Sequence, residues 1–182
     1  MNQQIKNEKI LFLDHDGVIC FGNNWGTRYD KQLGDDVRHY LFNQNHPIVR
    51  LRFDDFNKEA ITALNSIIDK TGCEIVVTSD WRFHATIEEM GDYYESQGII
   101  KRPIDFTPNI EDFAHNVDIP NSLNLIRIME IKRWILDNGM PDKWCVVDDL
   151  DLTSEGIHFV QTYEFNGITD SLIKKEILKY LK

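Results

Sequence analysis

Asp14 and Asp16 stand one residue apart in Leu11-Phe12-Leu13-Asp14-His15-Asp16-Gly17-Val18, at the end of a short apolar run and just before a glycine. Two carboxylates in this position concentrate oxygen ligands where a strand stops. Such a pair can hold Mg²⁺, attack an electrophile or move a proton, and its neighbours select among these. Asp-x-Asp-Gly also makes ordinary turns, because Asp favours turns and Gly tolerates positive φ. Polar residues recur where other apolar runs end: Thr78, Ser79 and Asp80 after the run from Glu74, and Asp148 and Asp149 after Trp144 to Val147. Taken singly, Thr78-Ser79 could cap the next helix and Asp148-Asp149-Leu150-Asp151 could be a solvated turn. If the strands are parallel, however, the three groups meet at one carboxyl edge, where open α/β sheets bind ligands.

The alternation of elements predicts such a sheet. The apolar runs Ile10 to Leu13, Glu74 to Thr78, Ile104 to Thr107, Trp144 to Val147 and Ile157 to Gln161 are separated by segments of helical period or loop. Phe56, Ala60, Ile61, Leu64 and Ile68 make one apolar face, with Asp54 or Asp55 as the expected cap and Gly72 as the stop. Phe83, Ile87, Met90 and Tyr94 share a second face that closes at Gly98. A third helix is expected to start near Asn121 or Ser122 and to run through Ile128, Ile131 and Ile135 to Asn138-Gly139, with Pro141 just beyond. The last runs from Thr169 through Leu172, Ile173 and Ile177 to Leu181. The expected fold is α/β: a Rossmann-like doubly wound parallel sheet of about five strands. Residues 21–52 break the pattern with Gly22, Gly26, Gly34, Pro47 and several aromatics. An insertion this long after strand 1 is either a small cap or lid over the site or an irregular surface hairpin.

A chain of 182 residues fits one domain, 1–182. Its net charge of −10, spread along the sequence, repels polyphosphates at long range. That argues against extended, non-specific nucleic-acid binding but permits a local phosphate site of metal and arginine. The apolar runs are too short to span a membrane, and Met1-Asn2-Gln3-Gln4 lacks signal-peptide features, so a cytoplasmic protein is expected. Cys20, Cys73 and Cys145 are widely spaced and flanked by apolar residues, which points to buried free thiols. His39, His46, His84, His115 and His158 show no metal-ligand spacing.

The order Asp14-x-Asp16-Gly17-Val18, then Val77-Thr78-Ser79, then a helix-borne basic residue, then Val147-Asp148-Asp149 resembles the haloacid dehalogenase-like (HAD) superfamily of phosphohydrolases. More narrowly, Leu64-Asn65-x-Ile67-Ile68, Thr71-Gly72-x-x-Ile75-Val76-Val77-Thr78-Ser79-x-Trp81-Arg82 and Arg127-x-x-Glu130-Ile131-x-x-Trp134 are similar to the HAD domain of Swiss Army Knife RNA repair proteins. So are Val146-Val147-Asp148-Asp149 and the tail Phe159-Val160-Gln161-Thr162…Gly167-Ile168-Thr169. The resemblance spans nearly the whole chain except the insertion, and it implies a Mg²⁺-dependent phosphatase with an aspartyl-phosphate intermediate.

Carried onto this sequence, the resemblance makes Asp14 the nucleophile and Asp16 the general acid and base, with the Asp16 backbone carbonyl on the metal. Asp148 and Asp149 complete the oxygen shell, Asp149 as the direct ligand and Asp148 as its support, while Asp151 is supporting or solvated. Thr78 and Ser79 would offer hydroxyl and backbone N–H groups to phosphoryl oxygens at a helix N-terminus. Arg127, near the start of the third helix, fits the expected cation, because Lys132 and Arg133 lie further from the sheet edge. Arg82 is expected either to bind substrate, through a second phosphate or a base, or to pair with a local carboxylate. Trp81 is either a pocket wall or packing beneath the helix, and His15 is expected to pack locally. The implied substrate is a nucleotide or a phosphorylated nucleic-acid end, with a sugar or metabolite phosphate as the alternative. A non-catalytic binding module of the same fold is the alternative of another class, and retention of both Asp14 and Asp16 weighs against it.

Overall fold

Strand β1 (Lys9–Leu13) lies at the centre of a five-stranded parallel sheet, and its side chains alternate between two separate cores. In the computed structural model, which describes residues 8–33, 46–113, 122–154, 156–163 and 165–182, the other strands are β2 (Glu74–Val77), β3 (Asp105–Phe106), β4 (Lys143–Asp148) and β5 (Phe159–Gln161). Their order is β3-β2-β1-β4-β5, with every pairing parallel. Leu11 and Leu13 join Ile75, Val77, Cys145 and Val147 in one core, while Ile10 and Phe12 join Val76, Trp144 and Val146 in the other. That period of two is the strand pleat, and burial on both sides explains why the runs are continuously apolar.

Helices cover both faces. The first core is closed by α2 (Lys58–Thr71), α3 (Ile87–Gln97) and α5 (Ser171–Leu181), through Ala60, Leu64, Met90, Ile177 and Leu181 among others. The second core is closed by α4 (Leu123–Asn138), through Ile128, Ile131, Trp134 and Ile135. The doubly wound parallel sheet is therefore as the alternation of elements predicts. Cys20, Cys73 and Cys145 are buried free thiols. No helix of the described residues is long and apolar enough to cross a membrane.

Several boundaries depart from the periodicity. The cap of α2 is Asn57, whose side chain accepts from the backbone N–H groups of Glu59 and Ala60, and not Asp54 or Asp55. Asp54 instead accepts from the backbone N–H of Arg28 at 2.7 Å, and Asp55 accepts from Lys31 Nζ at 2.9 Å. Phe83 does not belong to a helical face: residues Asp80–His84 form a 3₁₀ turn, and Phe83 is 50% exposed. Helix α3 begins after Thr86, which forms a capping box with Glu89, and local capping there overrides the apolar spacing. Helix α5 likewise begins after its cap Asp170, preceded by a 3₁₀ turn at Gly167–Thr169.

Of the 21–52 insertion, the described parts are a 3₁₀ turn at Gly22–Asn24, the short helix α1 (Thr27–Leu33) and a 3₁₀ turn at Val49–Leu51. Helix α1 is fastened to the chain that re-enters the sheet domain, since Lys31 Nζ donates to the Phe53 carbonyl at 2.6 Å and Gln32 Nε2 to the Leu51 carbonyl at 2.6 Å. Gly34, His39, His115 and Asn121 lie outside the described residues.

The Asn57 cap satisfies two otherwise orphaned N–H groups at the start of the longest helix on its face. Asn57→Ala is expected to cost about 1 kcal/mol, read as a lower urea midpoint at unchanged m-value.

Candidate active site

The register of the sheet brings three strand ends level. Leu13 pairs with Val77 on one side and with Val147 on the other, so Asp14, Thr78 and Asp148 are the next residue on each strand. The backbone holds this alignment past the last paired residues, through Asp14 N–H to the Val147 carbonyl at 3.1 Å and Thr78 N–H to the Leu13 carbonyl at 3.0 Å. Carboxylate oxygens of Asp14, Asp148 and Asp149 consequently lie within 4.8 Å of one another.

One guanidinium faces this cluster. Arg127, buried on the first turns of α4, places Nη1 at 2.8 Å from Asp148 Oδ2 and 3.3 Å from Asp14 Oδ1. Its Nη2 lies 3.5 Å from Oδ1 of the exposed Asp80. Burial alone would lower the Arg127 pKa, but Asp14, Asp148 and Asp80 together raise it, so the side chain stays cationic. For Asp148, burial and the facing Asp14 push the carboxyl up while Arg127 holds against them. Asp149, half-buried, is pushed up by burial and then by Asp14.

Asp16 does not join the oxygen cluster with its side chain. After Asp14 the chain winds into a tight turn in which Val18, Ile19 and Cys20 all donate to the His15 carbonyl. Gly17 takes φ +69°, and a Cβ there would run into the Asp149 carboxylate. Glycine at this position therefore meets two demands, a left-handed backbone and close approach to an acidic neighbour. The Gly17 carbonyl accepts from Thr162 Oγ1 at 3.0 Å, which ties the turn to the end of β5. Asp16 is exposed at the mouth, where its Oδ2 accepts from Trp81 Nε1 at 2.8 Å. Its carboxyl is pushed up to about 6, first by partial desolvation and then by the charge of Asp14, with Trp81 opposing. His15 points the other way and is fully buried, its Nε2 2.7 Å from the Tyr94 hydroxyl. The local packing expected of it is what the structure has.

The turn after β2 carries the remaining groups. Thr78 is buried and its hydroxyl has no hydrogen-bond partner among the described residues. Ser79 caps the following 3₁₀ turn by accepting from the Trp81 backbone N–H. Of the two alternatives for Arg82, the structure has the local carboxylate partner: its Nη2 donates to Glu130 Oε2 at 2.7 Å, and its Nη1 donates to the Thr78 carbonyl at 2.5 Å and to Asp80 Oδ1 at 3.2 Å. The guanidinium is buried and already matched to a carboxylate. Of the two alternatives for Trp81, packing prevails over an open wall: it is 5% exposed and stacked on Phe53 and Phe56.

Glu130 is the residue whose role the sequence concealed. It accepts from Arg82 and, through Oε1, from the Ile110 backbone N–H at 3.2 Å, joining α4 to two loops at the site. The signal was present in Arg127-x-x-Glu130, since residues three apart share one helix face.

Among the described residues, three acidic side chains thus converge against one buried guanidinium, and in their ionised forms they carry an excess of negative charge that a divalent cation would neutralise. The all-oxygen donor set suits a hard metal, with Asp14, Asp148 and Asp149 in place to hold it. Beside it, the unpartnered Thr78 hydroxyl offers a donor to an oxyanion. In comparison with known proteins, residues 10–173 match one family, described as the HAD domain in Swiss Army Knife RNA repair proteins. No curated protein and no solved structure matches the chain.

Two stability effects follow from these contacts. Glu130→Ala strands the buried Arg82 charge and is expected to cost about 3–5 kcal/mol in urea unfolding, whereas Asp80→Ala, at a 68% exposed side chain, is expected to cost less than about 1 kcal/mol. Burial lowers the His15 pKa from 6.5 to about 3, so below pH 6.5 the unfolded chain takes up a proton that the folded chain refuses. Stability is therefore lost as pH falls from 6.5 toward 3, and His15→Gln is expected to make that loss shallower by up to about 1.4 kcal/mol per pH unit in melts across the range.

Proposed function

The chain belongs to the HAD domains of Swiss Army Knife RNA repair proteins, and from that membership, which implies a hydrolase, we propose a Mg²⁺-dependent phosphatase that works through an aspartyl-phosphate on Asp14. The observation that carries the reading is the grouping of Asp14 with Arg127, the unpartnered Thr78 hydroxyl and the Asp148–Asp149 pair at one sheet edge. Phosphoryl transfer needs little more than alignment and charge neutralisation, and this grouping can provide both.

In the proposed reaction an Asp14 oxygen attacks phosphorus as the bond from phosphorus to the leaving oxygen breaks, and Asp16 gives that oxygen its proton. The resulting Asp16 carboxylate then takes a proton from a water that attacks the aspartyl-phosphate, which restores both aspartates. A carboxyl pushed up to about 6 exchanges protons readily near neutral pH. Arg127 and Thr78 would hold the phosphoryl oxygens in line. Asp14, Asp149 and the Asp16 backbone carbonyl, with Asp148 in support, would hold Mg²⁺, which supplies neutralising charge to the phosphoryl oxygens.

The substrate proposed is a nucleotide or a phosphorylated nucleic-acid end, as the RNA repair family suggests. The net charge of −10 favours recognition of a terminus over the length of a polymer, and on the same ground a small sugar or metabolite phosphate is the second reading. Residues 21–52 are proposed as the cap that decides between them, because helix α1 is fastened to residues 51–55 at the site's flank.

Wild-type protein is expected to release phosphate from mononucleotides or from 3′- or 5′-phosphorylated oligonucleotides, and to stop when a chelator is added. Asp14→Asn is expected to lower turnover by about 10³-fold or more while leaving the thermal melt in place. Turnover by the folded variant at the wild-type rate would remove Asp14 as nucleophile.

A further inference from the structure

We infer that Trp81 is a positioning residue for Asp16, fixing the carboxyl that moves the leaving-group proton and tying it to the segment that closes the insertion. The inference deepens the phosphatase reading and rests on it for the role of Asp16. Trp81 itself is 5% exposed, and its ring is engaged by Phe53, Phe56 and His15. Its one polar atom is spent on Asp16: Nε1 donates to Oδ2 at 2.8 Å.

An indole N–H only donates. Oδ2 therefore accepts in this bond, and because a carbonyl oxygen accepts better than a hydroxyl oxygen, the bond favours Oδ1 as the oxygen that carries the proton. Trp81 thus selects an oxygen as well as an orientation. The indole plane is in turn over-determined. It stacks on Phe53 at 4.9 Å and 8°, lies near-parallel to Phe56 at 5.5 Å and 13°, and takes the His15 ring edge-on at 4.8 Å and 67°. Phe53 is where α1 is anchored, through Lys31 Nζ on its carbonyl, and the next residue, Asp54, accepts from the Arg28 backbone N–H. Tyr93 closes the packing from α3 by donating its hydroxyl to the Asp54 carbonyl at 2.6 Å. A continuous contact path therefore runs from helix α1 through Phe53 and Trp81 to Asp16.

Trp81→Phe keeps the stack and removes the N–H. Its effect should depend on how much the leaving oxygen needs a proton, which a purely structural loss would not do. On phenyl phosphate, a poor leaving group, kcat is expected to fall about 10- to 100-fold. On 4-nitrophenyl phosphate it is expected to fall less than about 3-fold, with KM for both within about 2-fold of wild type. Combined with Asp16→Asn, the variant should lose little more than Asp16→Asn alone, because the two changes remove one function. An equal fall on both esters, a change confined to KM, or additive losses in the double variant would overturn the inference while leaving the phosphatase reading intact. A wild-type protein that cleaves neither ester, nor any phosphorylated nucleotide, would remove the phosphatase reading and this inference with it. Independently of turnover, the Trp81 indole N–H resonance should move in Asp16→Ala, and an unmoved resonance would also overturn the inference.

Discussion

The whole site depends on one guanidinium holding together carboxylates that repel each other. Asp14, Asp148 and Asp149 are forced to converge by strand register, and two of them are buried. Burial and the charge of Asp14 already push the Asp148 and Asp149 carboxyls up against the pull of Arg127, and without it they would go further toward the neutral form or move apart. Arg127 reaches it because α4 covers the second core from above, so that the start of the helix overhangs the ends of β1 and β4. The same helix carries Glu130, which holds Arg82 and through it the Thr78 carbonyl. One helix therefore places the cation of the site and also braces the loop that presents the Thr78 hydroxyl.

This arrangement separates two kinds of electrostatics. The interior pair of Arg82 and Glu130 is fully enclosed, matched in charge and bonded to backbone on both sides, so its role is to fix the positions of loops. Among the described residues, the ionised cluster around Asp14 has more negative charge than Arg127 balances, and Asp16 stands exposed beside it. Excess charge next to an accessible edge suits the binding of a metal and a phosphoryl group, whereas a balanced pair would have no affinity left for a ligand.

Much of the site was legible because it sits at strand ends, where sequence position maps directly onto spatial position. Asp14, Thr78 and Asp148 could be brought together from the apolar runs alone, since parallel strands align their carboxyl ends. Arg82 was less legible. A basic residue just beyond a polar strand end reads equally as a ligand for substrate or as half of an ion pair, and only the position of Glu130 on another element decides. Helix starts are hard to read from sequence for a similar reason. Asn57 and Thr86 compete with nearby Asp and apolar residues for the cap, and the winner is set by which oxygen meets free N–H groups.

The α/β alternation, the two-sided burial of the strands, the carboxylates at their ends and the family to which they belong are all written in the order of residues along the chain. These follow from local periodicity and from residue types at the ends of runs, and both survive without knowledge of distant neighbours. It takes the folded packing to show that Trp81 addresses Asp16, that Arg82 answers to Glu130, and that Gly17 yields its side-chain space to the Asp149 carboxylate. Each of those is a contact between separate elements, fixed by the crossing of helix over sheet and by close packing at the strand ends. No periodicity in one segment records which atom of another segment will stand opposite it.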